Sequence, residues 1–244
     1  FLKVIADASN YGFSLNHSQP YSYTGYICGY LRYYYPLEFL TIMMNINKDD
    51  QEKTAKIIEY AKTRGITIKP IKFGRSRANY SMDKKENAIY KGIESIKFLN
   101  ANVAEELYEL SKNKYNTFTD LLFDIQHKTS ANFKQIRILA SLNYFSDFGG
   151  NKKLLEIIDL YESKLKNKGL KEETKQKRLQ EIREYEKSLQ DSSLGIKDQI
   201  KAEIEYYGYE TTIIEKSPSS VYMVTEIDTK YTPKLRLYNL KTGE

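Results

Sequence analysis

Apolar positions recur at helical spacing over most of this chain, and only short stretches alternate as strands do. Residues 18–34 are apolar and aromatic with few polar breaks, which predicts a helix buried on most of its faces. Pro36 then begins a second helix at its first turn, where a missing N–H costs little, and Leu37, Phe39, Leu40, Met43 and Met44 form its apolar face. Over residues 49–64 Ala55, Ile58 and Ala61 recur beside Ile57, and Gly65 follows as a C-terminal cap. Short strands are predicted at 66–68, 80–82 and 88–90, the last two flanking a polar turn at 83–87. Further helices are expected at 102–110, at 121–126 after the lead-in Thr117-Phe118-Thr119-Asp120, and at 134–142. Gly149-Gly150 breaks the chain before a helix at 152–165. A charged helix at 170–190 can fold back on it around Asn167-Lys168-Gly169, and another runs over 196–206. Residues 221–227 and 235–240 alternate and are rich in β-formers, as in the first strands of an incomplete β domain. The fold class expected is mainly α, with a short β element near the middle and partial β strands at the C-terminus.

Composition narrows the chemistry. The 244 residues are 41% hydrophobic and 29% charged, ordinary for a globular protein. No apolar run is long enough to cross a bilayer, so no membrane partner is expected. The single cysteine, Cys28, excludes an intrachain disulfide, fits a reducing cytoplasm, and is expected in the core. The chain does not start with Met, which fits an internal fragment. His17 and His127 are too few for a His-based metal site, and phosphate-binding or dinucleotide-binding glycine patterns are absent. Asp49-Asp50 reads as a helix N-terminal pair rather than a metal site. A net charge of +6 suits a nucleic-acid partner and equally a lysine-rich surface.

Three stretches carry candidate chemistry. In Tyr11-Gly12-Phe13-Ser14-Leu15-Asn16-His17-Ser18, followed by Tyr21, a His-Ser pair at a helix start can meet phosphate and the tyrosine can stack on a base. The same spacing also describes an N-cap serine beside a buried histidine. Lys62, Arg64, Lys69, Lys72, Arg75, Arg77, Lys84, Lys85 and Lys91 form a basic run against only Asp83 and Glu86, either a phosphate-binding surface or a solvated face. Phe98-Leu99-Asn100 precedes the helix at 102–110; there Asn100 tolerates a left-handed turn and Phe98 does so only at a cost.

The order of these pieces resembles the C-family replicative DNA polymerases of bacteria. In that family a Tyr-Gly-Phe element leads into a Lys-Ser-His or Lys-Ala-His segment, a tyrosine four residues on, and Tyr-Pro-x-Glu-Phe. Here His17, Tyr21 and Tyr35-Pro36-Leu37-Glu38-Phe39 match, and Leu15 stands where the family has its lysine. Tyr60 through Pro70, Ser76 with Tyr80, Ile89-Tyr90-Lys91-Gly92-Ile93 and Ile96-Lys97 continue the likeness. So do residues 133–148 and 203–208. Phe98-Leu99-Asn100 replaces the family's Gly-hydrophobic-Gly hairpin, so the backbone is less able to approach a phosphate closely.

The resemblance implies distal fingers with a small β element at 1–95 and a tandem helix-hairpin-helix region at 96–165. It implies a charged helical linker at 166–210 and the start of an oligonucleotide-binding (OB-like) β domain at 211–244. It implies nucleotide contact through His17, Ser18 and Tyr21, and DNA contact through Arg75, Arg77, Lys97, Asn100, Asn102 and Lys134. No catalytic or metal-binding residue is expected in the chain, because the family's paired carboxylates and their Mg2+ lie in a palm that would precede Phe1. Implied partners are duplex or primer–template DNA, an incoming dNTP in the intact enzyme, a palm-containing chain and a sliding clamp. The alternative is a non-catalytic polymerase remnant, of phage or mobile-element type, that serves as a protein-interaction module.

Overall fold

The computed structural model describes residues 2–9, 15–165, 171–214, 216–230 and 232–243. It is mainly helical. The helices are α1 (Leu2–Ser9), α2 (Leu15–Tyr34), α3 (Pro36–Ile46), α4 (Gln51–Thr63), α5 (Ala101–Leu110) and α6 (Phe118–Lys128). They continue with α7 (Phe133–Ser141), α8 (Asn151–Leu165), α9 (Glu172–Ser188) and α10 (Ile196–Tyr206). The strands are β1 (Thr67–Lys69), β2 (Ser81–Asp83), β3 (Ala88–Tyr90), β4 (Tyr222–Asp228) and β5 (Lys234–Asn239).

A small core forms first along the chain. Pro36 sits at the start of α3, and Leu37, Leu40, Thr41 and Met44 bury one face of it at the spacing of a helix stripe. Asp50 accepts the Lys53 N–H at 3.0 Å to begin α4, and Gly65 at φ 68° ends it in the left-handed conformation that glycine takes most cheaply. Leu37, Leu40, Met44, Ala61, Ile66, Tyr80 and Ile89 then pack α3 and α4 against a sheet ordered β1-β3-β2. In that sheet β1 runs parallel to β3 and β2 antiparallel to it.

The larger core joins α5 through α10. Val103, Leu107, Phe118, Leu121, Ile125, Ile136, Leu139, Ile157, Ile158 and Ile182 are among its buried members. α8 packs against α9 as the expected hairpin, whose turn, Asn167-Lys168-Gly169, lies outside the described residues. A buried carboxylate on α9 begins α6: Glu186 accepts the N–H groups of Phe118 at 2.7 Å and Thr119 at 2.9 Å and the Thr119 hydroxyl at 2.6 Å. A second, Glu203, accepts from the Thr211 and Thr212 N–H groups and the Thr212 hydroxyl. β4 and β5 pair antiparallel with an irregularity between Val224 and Glu226.

Two expectations are corrected here. α2 is exposed rather than buried: Tyr21 is 69% and Tyr26 72% accessible, and Cys28 is exposed rather than in the core. Apolar and polar groups are mixed around the whole helix, so no single stripe selects a packing face. Its last turns are held instead, by Arg64 donating to the Tyr33 carbonyl at 3.0 Å and by the Arg32 guanidinium 4.0 Å from the Tyr60 ring centroid. α1 lies outside the elements expected from sequence.

Candidate nucleic-acid interface

Two hairpins meet at the starts of α5 and α7. The first spans residues 96–100. Ile96 and Leu99 are buried and anchor it, while Lys97, Phe98 and Asn100 face outward. Phe98 takes φ +70°, and Asn100 takes the extended backbone of an N-cap, its side chain accepting the Val103 N–H at 3.0 Å. This reverses the expectation that asparagine would supply the left-handed turn. Asn100 is worth more to the helix as a cap, and Phe98 is left with the positive φ.

The second hairpin spans residues 129–132. Asn132 caps α7 through the Gln135 N–H at 3.0 Å, and the Gln135 side chain accepts the Asn132 N–H at 3.0 Å, a reciprocal capping box. The other end of the same Gln135 side chain donates to the Phe98 carbonyl at 3.0 Å. One buried amide thus ties the two hairpins together. A second tie runs through Glu106, whose carboxylate accepts from the Ser130 N–H at 2.7 Å, the Ser130 hydroxyl at 2.8 Å and the Asn102 amide at 3.0 Å. Asn102 also donates to the Ser130 hydroxyl at 3.1 Å.

The residues expected to meet DNA therefore divide. Lys97 and Lys134 are exposed at the first hairpin, with the Lys134 ammonium 3.5 Å from the Phe98 ring centroid. Asn100 and Asn102 are exposed but already engaged, Asn100 as the cap of α5 and Asn102 with Glu106 and Ser130. Arg75 is exposed in the turn after Lys72, whose carbonyl its N–H meets at 3.1 Å. Arg77 is bound to Glu105 at 2.8 Å and lies 4.7 Å over the Tyr108 ring, so it fastens the sheet segment to α5. That bond to Arg77 holds the Glu105 carboxyl below its ordinary pKa, and Glu105 raises that of Arg77 in return.

The basic run is not one continuous face. Lys69 pairs with Glu86, Lys72 with Asp147, and Lys84 with Glu38. Lys91 is buried, its ammonium 3.5 Å and 4.2 Å from the ring centroids of Tyr207 and Tyr209, and its Nζ has no hydrogen bond among the described residues. Burial pushes its pKa down to about 7, against the opposing pull of Glu203. This cage lies behind the first hairpin, where the Lys97 N–H meets the Tyr206 carbonyl at 3.1 Å.

His17, Ser18 and Tyr21 stand on the opening turns of α2, with the His17 and Tyr21 rings 4.8 Å apart. Tyr11-Gly12-Phe13-Ser14, which leads into them, lies outside the described residues. Among the described residues no three His, Cys, Asp or Glu side chains group to hold a metal ion, and no helix is long and apolar enough to cross a membrane.

Sequence reasoning missed Glu106, Gln135, Glu186 and Glu203. The Asn132-to-Gln135 spacing signals the capping box, but the reach of Gln135 to Phe98 depends on how distant helices pack.

Residues 65–155 match the helix-hairpin-helix motif model. The wider chain is similar to DNA polymerase III subunit alpha of Ureaplasma parvum, 29% identical over 157 residues, which are 63% of this chain and 16% of that protein. It is similar to the same subunit of Staphylococcus aureus at 30% over 161 residues, 64% of this chain and 15% of that one. It also resembles an error-prone DNA polymerase of Vibrio parahaemolyticus at 25% over 152 residues, 61% of this chain and 14% of that one. The resemblance to replicative polymerases drawn from the residues is thus borne out over most of the chain, which spans about a sixth or less of those proteins.

Proposed function

We propose that this chain is the DNA-gripping portion of a DNA-directed DNA polymerase of the DNA polymerase III alpha type, acting in replication. One observation carries this reading: two linked hairpins at the starts of α5 and α7 lie inside the helix-hairpin-helix match, with Lys97 and Lys134 exposed beside them. Cations on a rigid helical frame bind the phosphate backbone without reading sequence. Arg75 adds a third cation, and Arg77 acts through Glu105 by holding α5 in place.

In the intact enzyme His17, Ser18 and Tyr21 would face the incoming dNTP, and β4 and β5 would begin an OB-like domain. The palm carboxylates and their Mg2+ belong to another part of the polymerase or to a palm-containing chain. A sliding clamp is the further partner of this reading and the cytoplasm its compartment.

A second reading, a non-catalytic remnant serving as a protein-interaction module, is favoured by the exposed tyrosines of α2. Fluorescence anisotropy on a primer–template duplex across a salt series separates the two. Affinity that falls steeply as salt rises supports the DNA grip. No binding at low salt leaves the interaction module.

A further inference from the structure

In a glycine hairpin, free backbone N–H groups meet a phosphate. Here the hairpins have spent several of theirs. Lys97 N–H goes to the Tyr206 carbonyl at 3.1 Å and Leu99 N–H to the Ile96 carbonyl at 3.1 Å. In the second hairpin Ser130 N–H goes to Glu106 at 2.7 Å, Ala131 N–H to the Thr129 hydroxyl at 3.2 Å, and Asn132 N–H to Gln135 at 3.0 Å. The Glu106 carboxylate, beside the second hairpin, would repel a phosphate. The exposed cation and aromatic ring of the two hairpins, Lys97 and Phe98, both stand on the first.

There the outward group is an aromatic ring. Phe98 is 57% accessible, so much of the ring adds nothing to the core. It stands at φ +70°, a conformation costly for a bulky residue and free for glycine. Lys134 covers the ring at 3.5 Å, and exposed Lys97 is its chain neighbour. A largely exposed ring with a cation over one face and a second exposed cation next in the chain matches the chemistry of an unpaired nucleotide, whose base stacks on the free face while its phosphates pair with the ammonium groups.

We propose that Phe98 is a stacking platform for an unpaired base of DNA, with Lys97 and Lys134 on the flanking phosphates, so that this hairpin favours single-stranded or junction DNA over closed duplex. The inference rests on the DNA-binding reading above and gives the substituted hairpin a selectivity that a glycine hairpin lacks.

The test measures anisotropy with a single-stranded oligonucleotide, a primer–template carrying an overhang and a blunt duplex, for the native chain, Phe98→Gly and Phe98→Leu. Glycine relieves the positive φ, so that variant keeps its fold, which its melting curve verifies. Leucine keeps the apolar bulk without a π face. Both variants should lose roughly five- to a hundredfold in affinity for the single strand and for the overhang, and less than about twofold for the blunt duplex. Equal losses on all substrates, unchanged single-strand binding, or full rescue by leucine would overturn the platform while leaving the DNA grip intact. A native chain that binds none of the three at low salt would overturn the DNA grip itself.

Discussion

The two hairpins share a position ahead of a capped helix and differ in where their polar groups point. The hairpin at 129–132 is tied inward, with Ser130 donating to Glu106 on α5, Ala131 to Thr129 and Asn132 to Gln135 on α7. The hairpin at 96–100 turns Lys97 and Phe98 outward and borrows Gln135 to hold its own carbonyl. One is tied inward and the other is open to solvent. The same motif can be divided this way because a hairpin needs only its caps and buried anchors to form, and Asn100 and Asn132 with Leu99 and Ala131 supply those.

The largest effect expected lies behind the open hairpin, at Lys91. Its folded pKa of about 7 is below the unfolded value of 10.5, so between those values the unfolded chain binds more protons. Stability attributable to this group therefore rises with pH across that window, by up to about 1.4 kcal/mol per pH unit, and is lowest below it. Denaturant melts of the native chain and Lys91→Met at several pH values should show the variant more stable near neutrality and the difference fading in alkali. A pH-independent difference would contradict the buried-amine account.

Next comes the tie between the hairpins. Gln135→Ala leaves the Asn132 N–H and the Phe98 carbonyl without this partner, at a cost of about 2 kcal/mol in unfolding free energy. A loss under about half of that would mean that the two hairpins stand independently. Smaller still are the caps, where Asn100→Ala and Asn132→Ala should each cost about 1 kcal/mol by the same measurement. Equal costs would confirm that the hairpins share one frame despite their different outward faces. The smallest effect is on DNA: Glu106→Gln removes a negative charge beside the hairpin at 129–132 and should tighten duplex binding by roughly two- to fivefold at low salt, the gain vanishing at high salt.

Much of this frame is legible in the chain itself. Apolar spacing marks α3 and α5 through α8 because each buries a stripe, and Thr117 and Gly65 punctuate the chain by local chemistry; α4 buries Ala61 but leaves Ala55 exposed. What is not legible depends on distance. Glu186 looks like one more charge on a charged helix, yet it caps α6 from 67 and 68 residues away. Lys72, Arg77 and Lys84 read as a basic run because their acidic partners come from distant positions or another element. α2 reads as buried because tyrosines count as apolar, although their hydroxyls let the helix remain in water. At the candidate site Lys97 and Lys134 stand outward, whereas Phe98 and Asn100 exchange roles because the cap outweighs the turn.

In the function proposed above, DNA is held by Lys97 of the open hairpin and Lys134 of α7. The most direct test is the salt dependence of primer–template binding for the native chain, Lys97→Ala with Lys134→Ala, and Ser130→Ala. The double variant should lower the log–log salt slope by about two, while Ser130→Ala leaves it unchanged. An unchanged slope in the double variant, or a fall in Ser130→Ala, would contradict this reading.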